Sequence, residues 1–600
     1  MVRGQLGRRV ALVAAVLAFG MVSAFAAGGR DAIKSQDLKE WLTYIASDEL
    51  EGRAEYSTGI GLAAAYIEDH LRAWGAKPAA GHSESYLQPV HVLGVKATSR
   101  STITVEVAGE TRTFADGDAI TFPKDVGGKR RFAADRVQFA GYGLDASGAG
   151  REDFRGLNVK GAVVVWLGSA GPKGLDASYR RLLGGRSRYA TGQLQALAGI
   201  GPTSAPGGRR GGQPGAAGDA AVAGNAGQPA PVAGAPPIAG QPPAGAAAAG
   251  GGGRGAQLPT PDFTKVERLD GPRPPVVSAT DAFFEFLCSR APTKYAELER
   301  MADAQEELPA FVLDGVKLTF NLDADYEIVR TQLTKNVVAV IEGSDPQLKN
   351  TYVAFGAHYD HVGYAEGEVT QGPNGPRRLG APGRVKEGAI DDRIWNGADD
   401  DGSGTVALMA LARAFAEGPR PKRSLLFVWH AGEERGLLGS RYYADDPTVP
   451  LDRVVAQLNM DMIGRNRDDK ESESNTVYPV GSDRISTELH GLLEAANKAA
   501  RKPLTLNYEM NDPGDPEQVY YRSDHYSYAA KGIPIIFFTT GLHPDYHANT
   551  DEVSKINFEK LTRIVQLVYD TGARVANLDH APARDNKGAH AGKSTATSSR

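Results

Sequence analysis

The chain has 600 residues, 72 of them glycine and one cysteine, and a formal net charge of −5. That length exceeds what one hydrophobic core holds, so more than one domain is expected. The near-balanced charge, with no basic stripe carrying interleaved aromatics, gives no footing for a nucleic-acid partner. A single cysteine, Cys288, rules out an internal disulfide or a cysteine-rich metal site.

The N-terminus reads as an export signal over residues 1–26: Arg3, Arg8 and Arg9, an apolar run from Val10 to Val22, then Ala24-Phe25-Ala26 as a cleavage site. The mature protein is expected outside the cytoplasm, periplasmic or secreted, without stable membrane insertion. Residues 27–114 begin with two amphipathic helices. Leu38, Trp41, Leu42 and Ile45 mark the first; Leu62, Tyr66, Ile67, Leu71 and Trp74 mark the second, which Gly75 stops. Neither forms a core of its own, so both should pack on a larger domain. Short alternating runs follow, as in Ser101 to Val107.

Residues 115–290 read as a separate, β-rich module with Cys288 buried near its end. Within it, 201–255 is nearly all Gly, Ala, Pro and Gln and lacks the large apolar side chains that offset ordering entropy, so a disordered loop is expected there. Residues 291–579 hold the main α/β pattern, and 580–600 read as a frayed tail.

The densest chemistry lies at Gly397-Ala398-Asp399-Asp400-Asp401-Gly402-Ser403-Gly404. Three consecutive carboxylates ahead of an apolar helix are costly to gather unless a cation neutralises them. Other ligand-type residues follow apolar, strand-like runs. Residues 352–355 lead to His358 and Asp360, residues 424–429 to Glu433-Glu434, residues 454–460 to Asp461, and residues 533–538 to a loop holding His543 and His547. An open α/β sheet collects a site along its carboxyl edge in this way. His361 adjoins the first pair and competes with it as a ligand. Adjacent glutamates cannot point the same way on a regular element, so one of Glu433 and Glu434 is expected to bind metal and the other to face a substrate water. Spacing does not choose between His543 and His547. Residues 363–395 form a Gly-, Pro- and Arg-rich stretch suited to a rim or lid.

Taken together, Gly356-Ala357-His358-Tyr359-Asp360, Gly397 to Gly404, Gly432-Glu433-Glu434, Asn459-Met460-Asp461-Met462 and Tyr546-His547 to Asp551 resemble peptidase family M28. Its cocatalytic zinc exopeptidases include bacterial leucyl aminopeptidase, aminopeptidase Y and glutamate carboxypeptidase. Leu50-Glu51-Gly52-Arg53 looks like that family's lead-in. Phe139-Ala140-Gly141-Tyr142-Gly143 and Leu157-Asn158-Val159-Lys160-Gly161 look like its protease-associated (PA) insert. The resemblance implies an α/β fold, a phosphorylase/hydrolase-like three-layer αβα zinc-peptidase domain with a mostly β PA-like insert. It also implies two Zn2+ per subunit and peptide substrates.

Carried over by motif, Asp400 bridges the two zinc ions. His358 and Asp461 complete one shell, Glu434 and His547 the other. Glu433 is the general base, Asp360 holds the His358 ring, and Asp399 and Asp401 support. Apart from the motifs, the chemistry calls for a donor to the tetrahedral oxyanion, for which Tyr520 and Tyr546 are the candidates. The expected activity is removal of N-terminal residues. A carboxypeptidase would instead need cationic side chains facing the metals, for which Arg377, Arg378, Arg384 and Arg393 are the candidates. A non-enzymatic ectodomain on the same scaffold would have lost ligands, and here the set is complete.

Overall fold

Short runs of Val, Leu, Ile, Phe and Ala give the central strands of the main sheet two apolar faces. In the computed structural model, which describes residues 28–79, 85–203, 259–372 and 375–586, ten strands join in one sheet. They are β1 (Lys77–Pro78), β2 (Leu87–Ser99), β3 (Phe263–Lys265), β4 (Ala324–Ile341), β5 (Tyr352–His358), β6 (Ser424–His430), β7 (Val454–Met460), β8 (Thr476–Val480), β9 (Thr505–Leu506) and β10 (Ile535–Thr539). The spatial order is β3-β2-β4-β6-β5-β7-β10-β8-β9, with β1 alongside β4. The middle strands β6, β5, β7 and β10 run parallel. Every residue of β6 and β7 is buried, as befits strands covered on both faces.

Those faces have separate cores. Val353, Phe355 and Ala357 of β5 and Leu425, Phe427 and Trp429 of β6 enter one core. Ala354, Leu426 and Val428, one residue out of step, enter the other. One face is covered by helices α1 (Ser35–Ile45), α2 (Thr58–Ala73), α3 (Gly404–Glu417), α5 (Thr487–Ala499) and α6 (Phe558–Ala576), and the opposite face by α4 (Leu438–Asp445) and the short helix His525–Ala529. The caps follow the sequence: Ser57, Ser486 and Asn557 each accept a backbone N–H of the first turn.

Of the apolar stripe read from sequence for the second helix, Ile67 and Leu71 are buried and Tyr66 and Trp74 pack partly buried against the first core, while Leu62 turns away. Ile60, Ala63, Ala64, Ile67 and Leu71 face inward, and Leu62 is 41% exposed. Two alanines let α2 lie close against its neighbours, a choice a hydrophobicity count passes over.

The chain leaves β5 through α3 to β6 on one side, then passes through α4 to β7 on the other. Such a reversal of direction opens a crevice beyond the carboxyl ends of the strands.

A second core draws on residues from Ile103 to Ala324. One of its sheets orders Ala310–Val312, Val137–Ala140, Val163–Val165, Ala198–Pro202, Val276–Ala279 and Ile120–Thr121. The other, antiparallel, orders Glu110–Ala115, Thr102–Val107, Val316–Leu322 and Arg130–Ala134. This core is wider than residues 115–290. Strand Val316–Leu322 pairs with Thr102–Val107, and Tyr295, Leu298 and Ala302 of helix Tyr295–Asp303 pack beneath them. Cys288 is buried there as a free thiol.

The expected export signal lies outside the described residues, as do 204–255 of the Gly/Ala tract and 587–600 of the tail. Among the described residues, no helix is long and apolar enough to cross a membrane.

Candidate metal centre

Strand β5 ends on His358, and the next turn brings Asp360 back against it. His358 Nδ1 lies 3.2 Å from the Asp360 carbonyl oxygen and 3.5 Å from its Oδ1. With Nδ1 as donor, Nε2 is left as the lone-pair nitrogen. The Asp360 carboxylate also accepts the backbone N–H groups of Glu433 at 3.1 Å and Glu434 at 3.3 Å. One side chain therefore fixes both the imidazole and the turn after β6.

The three aspartates ahead of α3 have separate roles. Asp401 accepts the N–H groups of His358, Gly404 and Met462, tying the ends of β5 and β7 to the start of α3. Asp399 accepts the Gly464 N–H at 2.6 Å and faces His543 Nε2 at 3.3 Å, so His543 belongs to a supporting network. Asp400 is the middle one, its N–H held by Asp551. Its Oδ1 lies 3.3 Å from His358 Nε2 and its Oδ2 3.1 Å from His547 Nε2.

Around Asp400 the remaining groups close in. Asp461 Oδ1 is 3.7 Å and Glu433 Oε2 3.9 Å from His358 Nε2, and Glu434 Oε2 is 2.9 Å from His547 Nε2. Ligands at about 2.0–2.1 Å from a tetrahedral zinc ion stand about 3.3 Å apart, so these separations suit a shared cation. His358 Nε2 and Asp400 Oδ2 are buried without a hydrogen-bond partner, an arrangement costly in its own right and relieved by a cation. The donors are all nitrogen and oxygen, which zinc accepts.

The electrostatics carry the same imprint. Burial pushes the His358 imidazole down, but Asp461 and Glu433 outweigh it and hold the ring well above its ordinary range. Burial pushes the Asp400 carboxyl up, and His358 and His547 overcome that and draw it well below. Glu434, by the same balance with His547, is held at about 2. Glu433 goes the other way: burial, only partly opposed by His358 and reinforced by Glu434 and Asp461, raises it well above the carboxylate range. Too many buried acids face too few cations here.

A cavity of about 210 Å³ opens beside Asp400, Glu433 and Asp461, its wall including Met462, Met510, Phe537 and Tyr546. The Tyr546 ring stacks on His547, centroids 4.0 Å apart, and its hydroxyl accepts from Arg522 Nη2 at 3.2 Å. Tyr520 stands apart from this group: it is 4% exposed and packed under Arg484, whose guanidinium carbon lies 3.8 Å from the ring centroid. The second core reaches the cavity through Arg181, 2.5 Å from Glu517, a lining residue that also pairs with Arg522.

Arg377, Arg378, Arg384 and Arg393 do not line the cavity. Arg384 instead donates to the carbonyls of Pro544 and Tyr546, and its own N–H to that of His547 at 2.6 Å. It clasps the loop that carries the histidine.

The lead-in motif Leu50-Glu51-Gly52-Arg53 ends on a residue to which the sequence reading gave no role, Arg53, at the centre of this packing. Fully buried, it donates to the carbonyls of Ile45, Tyr359, Asn396 and Gly397. An arginine flanked by glycine just after a helix was the available signal.

Residues 336–571 match the peptidase family M28. Similar curated proteins include the probable leucine aminopeptidase 2 of Aspergillus fumigatus, 26% identical over 319 residues covering 48% of this chain and 54% of that one. Aminopeptidase Y of Saccharomyces cerevisiae is 27% identical over 274 residues, 43% of this chain and 42% of that one. The chain thus spans about half the length of these relatives. Among solved structures, an aminopeptidase from Aneurinibacillus sp. is 16% identical with a TM-score of 0.39, covering 92% of this chain and 96% of its own. The family match takes in the ends of β5, β6, β7 and β10 and every side chain gathered around Asp400. The stretch that matches peptidase family M28 is therefore the one that carries this centre.

Proposed function

We propose that the chain is a zinc-dependent aminopeptidase that removes N-terminal residues from peptides, exported to the periplasm or the medium, with residues of the second core forming a PA-like insert. The observation that carries this reading is the convergence of His358, Asp461, Glu434 and His547 on Asp400, with N–O separations between 2.9 and 3.7 Å. His358, Asp400 and Asp461 would hold one Zn2+, and Asp400, Glu434 and His547 the other. Bound there, a zinc pair lowers the pKa of a shared water and polarises the peptide carbonyl.

The chain's own groups do the rest. Asp360, by fixing the His358 ring and the two backbone N–H groups after Gly432, sets Glu433 against the centre. Glu433 is the base: its carboxylate takes the proton of the attacking water and passes it to the departing amine. That role needs the ionised form, which the neutralisation of its acidic neighbours favours. Tyr546, at the cavity wall with its hydroxyl on Arg522, is the donor positioned for the developing oxyanion. The apolar part of the wall, Met462, Met510 and Phe537 among it, suits an uncharged side chain of the substrate.

The test is digestion of a peptide library in paired sets, with free and with acetylated N-termini, read by mass spectrometry. Stepwise shortening of the free set alone is expected. Cleavage inside the acetylated peptides, or release from their C-termini, would overturn the reading.

A further inference from the structure

One buried imidazole beside this centre has no part in the account so far. His361 is 1% exposed, and its Nδ1 lies 2.9 Å from Glu434 Oε1. The other oxygen of the same carboxylate, Oε2, lies 2.9 Å from His547 Nε2. Glu434 is therefore flanked by two imidazoles, one to each oxygen. The two rings stand edge to face, 5.8 Å between centroids at 73°.

His361 is held by backbone rather than by other polar side chains. Its N–H donates to the Arg53 carbonyl at 3.2 Å. The ring lies against Gly397, where φ is +56° and a Cβ would come within 2.5 Å of the ring carbons. Only glycine leaves room for the imidazole there. Neither ring nitrogen, nor Glu434 Oε1, completes a hydrogen bond of good geometry among the described residues; the Nδ1–Oε1 approach is a 2.9 Å contact between two otherwise unpartnered atoms.

We propose that His361 is a positioning residue for Glu434: its Nδ1–H occupies Oε1, so that Oε2 alone is presented, with Asp400 and His547, to a cation. A carboxylate with both oxygens unengaged swings between one- and two-oxygen ligation and gives up ordering entropy on binding; one oxygen held in advance removes that freedom. His361 does for Glu434 what Asp360 does for His358. The inference rests on Glu434 being a zinc ligand, as proposed above.

The test uses the full mature chain, with zinc content by elemental analysis and zinc affinity by competition with a chromophoric chelator. The wild type is expected to hold two zinc ions. His361→Gln, of similar bulk but with no donor at the Nδ1 position, should still fill both sites at saturating zinc while one affinity falls about 10- to 100-fold and the other stays put. His361→Asn, whose amide nitrogen falls near the Nδ1 position, should recover most of that affinity and also report that the fold tolerates loss of the ring. In a Glu434→Gln background, His361→Gln should cost nothing more, because there is no carboxylate left to hold.

Unchanged affinities in His361→Gln would overturn the proposal. So would losses that multiply in the double variant with no recovery by asparagine, the behaviour of a direct ligand, which the proximity of His361, Asp400 and Glu434 donor atoms within 4.8 Å makes the rival outcome. A wild type holding fewer than two zinc ions would instead remove the two-ion reading on which this role depends.

Discussion

Replacing Arg53 with methionine tests how the centre is built. The guanidinium donates 2.6 and 2.7 Å bonds to Ile45 and Asn396 and 3.0 Å bonds to Tyr359 and Gly397, so it links α1, the turn holding Asp360 and the turn holding Asp400. Hydrogen bonds from a charged donor are worth about 1.5 kcal/mol each at the low end. Against them stands charge burial, which lowers the Arg53 pKa to about 10 despite Asp360, Asp401 and Asp400 nearby, a penalty of about 3 kcal/mol. The difference leaves Arg53→Met less stable by about 3 kcal/mol. Amide hydrogen exchange read peptide by peptide is the right assay, because two separate cores make a single unfolding midpoint ill-defined. Faster exchange is expected around residues 359–361 and 396–400, with residues 137–200 unaffected. Exchange within about 1 kcal/mol of wild type at those turns would refute the argument that this one side chain holds them together.

Glu433→Gln should keep both zinc ions and lose turnover by about 10²- to 10⁴-fold; an emptied site by elemental analysis would count against its role as base. Stripping zinc with a chelator should lower the melting temperature of the main domain, and restoring it at about 100 times its dissociation constant should return about 2.7 kcal/mol; calorimetry with and without metal reads this directly. A pH dependence follows from Glu267, paired in two-oxygen fashion with Arg441 at 2.8 Å. Burial pushes this carboxyl up, but Arg441 and Arg273 prevail and hold it at about 2. A depressed acid contributes stability above its unfolded pKa of about 4.3 and loses it as pH falls. The gap between wild type and Glu267→Gln in urea titrations should therefore be full at pH 6 and close between about pH 4 and pH 2; a gap constant over that window would contradict the pairing.

How legible all this was in the sequence depended on burial. Strands β5, β6 and β7 stand out as unbroken apolar runs because both their faces are covered, and the residues that end or follow them, His358, Glu433, Glu434 and Asp461, lie within 4 Å of a common neighbour or of one another. What the sequence could not reveal was pairing across long separations. Val316–Leu322 meets Thr102–Val107 after more than two hundred residues, and no local pattern announces it. Nor did spacing separate His543 from His547; that needed the Asp399 carboxylate in place beside one and the Asp400 carboxylate beside the other. Tyr520, as a tyrosine near the centre in sequence, resembled Tyr546 until packing put it beneath Arg484.

The second core hangs from the main sheet by a two-stranded root. Ser99 of β2 faces Ala324 of β4, and the Arg100 N–H donates to the Asp323 carbonyl at 2.7 Å. For the sheet, everything between those points is equivalent to one hairpin turn, apart from the short edge strand β3 that returns to pair with β2. Loop-closure entropy rises only with the logarithm of length, so the intervening segment is free to lengthen, shorten or be exchanged wholesale while the register of the ten-stranded sheet, and with it the spacing of the metal-facing strand ends, is left as it stands.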